Sequence, residues 1–117
     1  MGYELRVVRE SPLAFAELAR AIAPAGFELS AAEEIVVKYG DDTHTVGRWR
    51  GQIVGQPGSD WHLAQLVRLS SLLGGRLVGE DGEVYALTDG VVELIGGGTA
   101  TEIGKFDEII AAGPASW

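Results

Sequence analysis

Residues 72–95 read LLGGRLVGEDGEVYALTDGVVELI, and the spacing of their glycines and acids decides the fold. Gly74-Gly75 follows a leucine-rich segment and can take the left-handed conformation that closes a helix. Arg76-Leu77-Val78 is strand-like, Gly79-Glu80-Asp81-Gly82 has turn composition, and Glu83-Val84-Tyr85-Ala86-Leu87 returns as a second strand. Asp-Gly between apolar runs is a strong hairpin signal, because both residues tolerate positive φ. Asp89-Gly90 repeats it ahead of VVELI at 91–95. The stretch reads as a helix end and a three-stranded meander, so its glycines need no ligand to explain them.

Working back along the chain, Leu63, Leu66, Val67, Ser70 and Leu73 recur at helical spacing, with Gln65, Arg68 and Ser71 on the opposite side. A helix over 60–73 follows, capped by Ser59 or Asp60. At the start, Tyr3, Leu5 and Val7 alternate with Glu4 and Arg6, the period of a half-buried strand. Ser11-Pro12 suits a helix N-terminus, and Phe15, Leu18, Ala19 and Ile22 give residues 12–23 one buried face, ended by Pro24-Ala25-Gly26. Residues 27–31 can form a short strand, and EIVVKY (34–39) is a stronger one. Gly40-Asp41-Asp42 turns the chain into a second arm over 43–54, where Gly47 and Gly51 suggest a bulge or a close backbone approach.

The order β-α-β-β-α-β-β-β predicts an α+β fold, a ferredoxin-like sandwich with two helices on one face of a mostly antiparallel sheet. The opposite face is then open. Residues 1–95 read as a single α+β domain. GGGTATEIG (96–104) breaks the pattern and reads as a flexible connector, so 96–117 is expected to be a C-terminal extension with a short helix at FDEIIAA, packed on the same domain.

The 117 residues carry a net charge of −8 and are 46% hydrophobic, with no cysteine. Charge placement says more than charge total. Residues 80–117 hold eight acids against Lys105 alone, a net −7, whereas residues 1–79 hold nine acids and eight bases. Such a field repels nucleic acid and attracts a basic surface. No apolar run approaches the roughly 20 residues of a membrane span, and the charged N-terminus lacks a leader pattern. Arg6 occupies the position where a myristoylation motif needs Ser or Thr. The expected setting is cytoplasmic, with no membrane partner.

Little in the chain resembles a reaction centre. Gly96-Gly97-Gly98 lacks the Gly-Lys-Ser/Thr of a phosphate loop, and Gly104-Lys105 leads to Phe106. His44 beside Asp41-Asp42 and His62 beside Asp60 fall short of the three or four ligands a zinc site needs, and both suit a polar surface. No catalytic signature is present. These patterns point away from an enzyme and from a cofactor. Among the aromatics, Trp49 stands between Arg48 and Arg50. It belongs either to the core, with solvated arginines opposite, or to the open sheet face as an interface anchor.

Leu73-Gly74-Gly75, the Leu77-Val78 strand and Gly79-Glu80-Asp81-Gly82-Glu83 before Tyr85 resemble a pattern in small acidic immunity proteins of bacterial polymorphic toxin and contact-dependent inhibition systems. The opening YELRVVRESPLAFAEL is similar in plan. The resemblance implies a non-enzymatic module that binds a cognate protein toxin with a basic surface. Glu80, Asp81, Glu83 and Asp89 are then the expected contact patch, with Trp49 as a further candidate. The competing expectation is a ligand-sensing or assembly domain, a homodimer formed through VVELI at a sheet edge.

Overall fold

The computed structural model describes residues 4–11 and 14–114. It is an α+β structure with one nine-stranded sheet in which every neighbouring pair is antiparallel. In chain order the strands are β1 (Leu5–Val8), β2 (Phe27–Leu29), β3 (Glu34–Tyr39), β4 (Asp42–Trp49), β5 (Ile53–Gly55), β6 (Arg76–Val78), β7 (Val84–Thr88), β8 (Val91–Gly96) and β9 (Thr99–Lys105). The helices are α1 (Phe15–Ile22), α2 (Asp60–Leu72) and α3 (Phe106–Ala112). Across the sheet the order is β2-β3-β4-β5-β1-β6-β7-β8-β9. Two four-stranded meanders thus share β1 as their common neighbour.

That position dictates the connections. β5 and β6 both run antiparallel to β1, so they are parallel to each other and no tight turn can join them. The chain crosses over β1 as α2. Ser59 caps this helix, its Oγ accepting the His62 N–H at 3.1 Å. Core side chains come from alternate strand positions: Leu5 and Val7 in β1, Ile35 and Val37 in β3, Leu77 in β6 and Val92 in β8. They meet Leu63, Leu66, Val67 and Leu69 of α2, and Leu18 and Ile22 of α1.

The structure differs from the expected order in four places. The long arm at 43–54 is two strands, β4 and β5, folded back at Arg50-Gly51-Gln52. The glycine-rich segment after VVELI is a two-residue turn, not a connector: Gly97 and Gly98 have φ of 60° and 79°, as a tight hairpin requires. It launches β9, which pairs with all of β8, so VVELI lies inside the sheet and β9 forms its edge. The short helix expected at FDEIIAA is α3, which packs against α2 and β9. Finally, α1 begins at Phe15, with Ala14 at its N-cap and no side-chain cap. Pro12 lies outside the described residues.

Helix α2 is buried on nearly every side, because the sheet, α1 and α3 all press on it. Gln65, expected on the solvent side, is only 3% exposed and accepts an Arg68 N–H at 3.3 Å. Arg68 also reaches the Ala25 carbonyl and lies 4.9 Å from the centroid of Phe27. It therefore ties α2 to the segment joining α1 and β2.

The paired glycines that end α2 have separate reasons. Gly74 has φ of 69°, and its N–H donates to the Ser71 carbonyl, closing the helix. At Gly75 the constraint is space: a Cβ there would lie 2.8 Å from the Val8 carbonyl oxygen and 3.1 Å from Val7 Cγ1. Gly75→Ala is expected to cost about 1–3 kcal/mol through this overlap with backbone. Gly58→Ala, whose Cβ would meet nothing within 4 Å, is expected to stay within about 0.5 kcal/mol of the parent. Urea unfolding midpoints of the two variants check the contrast.

Candidate functional site

Strand directions place the functional candidates. β1 starts and β5 ends at one end of the sheet, because Leu5 pairs with Gly55. The alternation of strands brings the β3–β4 turn, the β6–β7 turn, the β8–β9 turn and the β5–α2 loop to that same end. These four connections carry Asp41, Glu80, Asp81 and Glu83 and no lysine or arginine. Asp42 opens β4 beside them, Asp60 opens α2, and Glu4 immediately precedes β1. One end of the sheet is an acidic rim.

The β6–β7 turn is held rigidly. Gly79 N–H donates to the Glu83 carbonyl at 2.9 Å, and Gly82 N–H donates to the Gly79 carbonyl at 3.1 Å. Gly82 takes φ of 83°. Glu80 reaches back across the sheet end, its Oε2 accepting the Glu4 N–H at 2.7 Å. The Asp81 N–H donates to Glu83 Oε1 at 3.3 Å. Beside this turn, burial and the neighbouring Glu83 carboxylate push the Tyr85 phenol above its ordinary pKa.

Of the five residues singled out from sequence, three fall together and two do not join them. Glu80, Asp81 and Glu83 share the turn. Asp89 sits in the β7–β8 turn at the opposite end of β7, roughly 17 Å away at the usual rise of a strand. Its neighbours there are Gly90, whose carbonyl accepts the Phe106 N–H at 2.8 Å, and the start of α3. Trp49 faces the helices, half-buried, with its ring 6.0 Å from that of Phe15. Arg48 points the other way and pairs with Glu34 at 3.3 Å. Trp49 is therefore core, not an anchor on the free sheet face.

The rim members that sequence reading passed over are Glu4, Asp41, Asp42 and Asp60. Turn composition was visible around 40–42, but assigning that turn to the same end as residues 79–83 needs the strand count between them. With β5 merged into β4, that count is one short.

Next to the rim, on the helix-free side, lies an open cleft of about 490 Å³ with Glu4, Thr45, Arg48, Arg50, Gln56 and His62 along its walls. Its shape follows from a bulge in β4, where Ile35 pairs with Gly47 and Val36 with Thr45, leaving Val46 as the extra residue. The Val46 carbonyl is taken up by His62, with Nε2 and the oxygen 2.7 Å apart. Nδ1 accepts the Gly58 N–H at 3.3 Å. With Nδ1 accepting, Nε2 carries the single ring proton and donates to Val46, so the ring is neutral. His62 is thus a structural bridge between α2 and the bulge rather than a solvated surface group. His44, likewise, packs edge-on against Trp61 with ring centroids 5.2 Å apart. Among the described residues no group of three or more His, Asp or Glu side chains is arranged to hold a metal ion, and no helix is long and apolar enough to cross a membrane.

No protein-family model, no curated protein and no solved structure matches this chain.

Burial lowers the His62 pKa below its ordinary 6.5, against a smaller opposing effect of the Val46 hydrogen bond. The unfolded chain therefore takes up the proton first as the pH falls. The contribution of this ring to stability is complete above about pH 6.5 and is lost as the pH drops below it. His62→Gln is expected to flatten the change in urea midpoint between about pH 7.5 and pH 5.5 relative to the parent. An unchanged slope would remove His62 from the pH response.

Proposed function

We propose that this chain is an immunity protein that neutralises a cognate bacterial protein toxin by binding it, without catalysis, through the acidic rim of the sheet. The observation that carries the reading is the charge of that sheet end: of its four connections two, at 40–41 and 79–83, bear acids, and none bears a base. A basic toxin surface, such as that of a nuclease, would be steered toward this rim and held in register by opposite charge. The rigid β6–β7 turn suits the role, because carboxylates held before encounter lose little freedom on binding. Inhibition by occlusion needs a patch of about 800 Å² on each partner. Sequence resemblance over residues 63–87 supports the same reading, and a cytoplasmic setting fits a protein that must meet an incoming toxin.

The frame behind the rim is read here as an elaborated ferredoxin-like unit. Strands β6-β1-β5-β4, backed by α1 and α2, form its centre. The hairpin β2–β3 extends one side, and β7 to β9 extend the other.

The test uses the basic toxin domain that the proposal requires as cognate partner. Glu80→Lys with Asp81→Lys is expected to slow association at least about tenfold at low salt and to reduce its salt dependence. Asp89→Lys, the same charge change at the far end of β7, is expected to leave both within about twofold. Stopped-flow binding and protection of cells expressing the toxin are the readouts. Equal effects from the two variants would sink the reading.

A further inference from the structure

One stripe of α2 faces the gap between β3 and α3. Trp61, Gln65 and Arg68 recur there at helical spacing, about 6 Å and about 4.5 Å apart along the axis. They line a cleft of about 450 Å³ whose other walls include Tyr39 of β3 and Ile110 of α3. The walls are tied to one another. The Tyr39 hydroxyl donates to the Ala111 carbonyl at 3.0 Å, which fastens α3 to β3. Arg68 donates to the Ala25 carbonyl and stands over the Phe27 ring, 4.9 Å from its centroid.

Donors outnumber acceptors along this stripe. Trp61 is 2% exposed, and its Nε1–H meets no acceptor among the described residues, although a buried indole N–H ordinarily finds one. Gln65 is buried too, and its Oε1 is already taken by Arg68. The Arg68 guanidinium has five N–H donors. Its partners are the neutral oxygens of Gln65 and Ala25, and no carboxylate lies in ion-pair range of it among the described residues. Glu28 and Lys38, the other charged residues of the lining, alternate with the core residues Phe27 and Val37 and so leave their strands on the opposite face. An unpaired guanidinium and a buried N–H beside aromatic and aliphatic walls match a ligand that brings acceptors on an apolar body.

We propose that this cleft binds a small organic acid with an apolar or aromatic body. The carboxylate is taken by the remaining N–H groups of Arg68, whose planar fork fits two carboxylate oxygens at once. A carbonyl further along the ligand accepts the Trp61 N–H, and the apolar body lies against Tyr39 and Ile110. An inorganic anion would meet the arginine alone and leave the indole and the apolar walls unused. The site does not rest on toxin binding. Residues 79–83 of the acidic rim take no part in its lining, so one reading can fail while the other stands.

Titration of the full chain with hippurate, a carboxylate joined to a phenyl ring through an amide carbonyl, provides the test. Proton–nitrogen correlation NMR follows the tryptophan indole N–H signals, and Trp61→Phe identifies the signal of Trp61 by its loss. In the parent this signal is expected to shift saturably, with a Kd of about 1 mM or tighter. The uncharged amide of hippurate is expected to bind at least about tenfold more weakly. Arg68→Lys keeps the charge but loses the fork, and is expected to weaken hippurate about tenfold. Because Arg68 also braces the fold, Trp61→Phe provides a second variant that keeps an aromatic ring and removes only the donor. Followed by the backbone signals of Gln65 and Ile110, it is expected to weaken hippurate at least about threefold. A Trp61 signal unmoved by hippurate and by phenylpropionate up to about 20 mM overturns the proposal. Equal affinity for the acid and its amide overturns it as well, and so does an equal shift produced by sulfate.

Discussion

Strand β1 is hydrogen-bonded on both sides by strands that run the same way, and the architecture follows from satisfying that arrangement. Two parallel strands separated by a third cannot be joined by a turn, so the chain must pass over β1 between Gly55 and Arg76. A helix is the economical crossing, because it satisfies its own backbone groups while lying on apolar side chains. Once α2 lies there, α1 and α3 pack beside it and the sheet spreads to either side. The near-complete burial of α2 is thus a result of topology. Its sequence accommodates this with small and polar residues at buried positions: Ala64 against the core, Gln65 held by Arg68, and Ser70 donating to the Val67 carbonyl at 2.8 Å.

Sequence was informative wherever local chemistry decides the outcome. The turns at 79–82 and 89–90 are legible because Asp-Gly and the flanking glycines accept backbone angles that other residues resist. The end of α2 at Gly74 is legible for the same reason. What escaped was set by distant parts of the chain. Residues 99–105 are poor in large apolar side chains and form a strand because β8 presents an unsatisfied edge to them. The break between β4 and β5 is likewise set by where Val54 must pair with Arg6. Gln65 looked solvent-facing because nothing local announces that the distant segment 25–27, reached by Arg68, lies beside it.

The candidate site divides along the same line. Glu80, Asp81 and Glu83 were found together because they are neighbours in sequence. Asp89 was added to them by proximity along the chain, but one strand length separates it from the turn. Glu4 meets the turn in space, whereas Asp41 and Asp42 share its end of the sheet about four strands away, and only strand counting brings them to that end. The two readings of Trp49 were separated by parity: Trp49 pairs with Ile53, a core residue, so its neighbours Arg48 and Arg50 take the other side.

The two borders of the sheet are unequal. β2 is three residues long, whereas β9 is seven, and a seven-residue border presents a row of unmet donors and acceptors that could template growth by an incoming extended chain. The irregularity opposite Val92 and Glu93 interrupts that row, and Glu102 and Lys105 place charges along it. An added strand would have to match a kinked partner while burying charge. The feature that made residues 96–105 hard to recognise as a strand, their lack of a clean apolar alternation, is thus also what keeps this border from acting as a seed for aggregation.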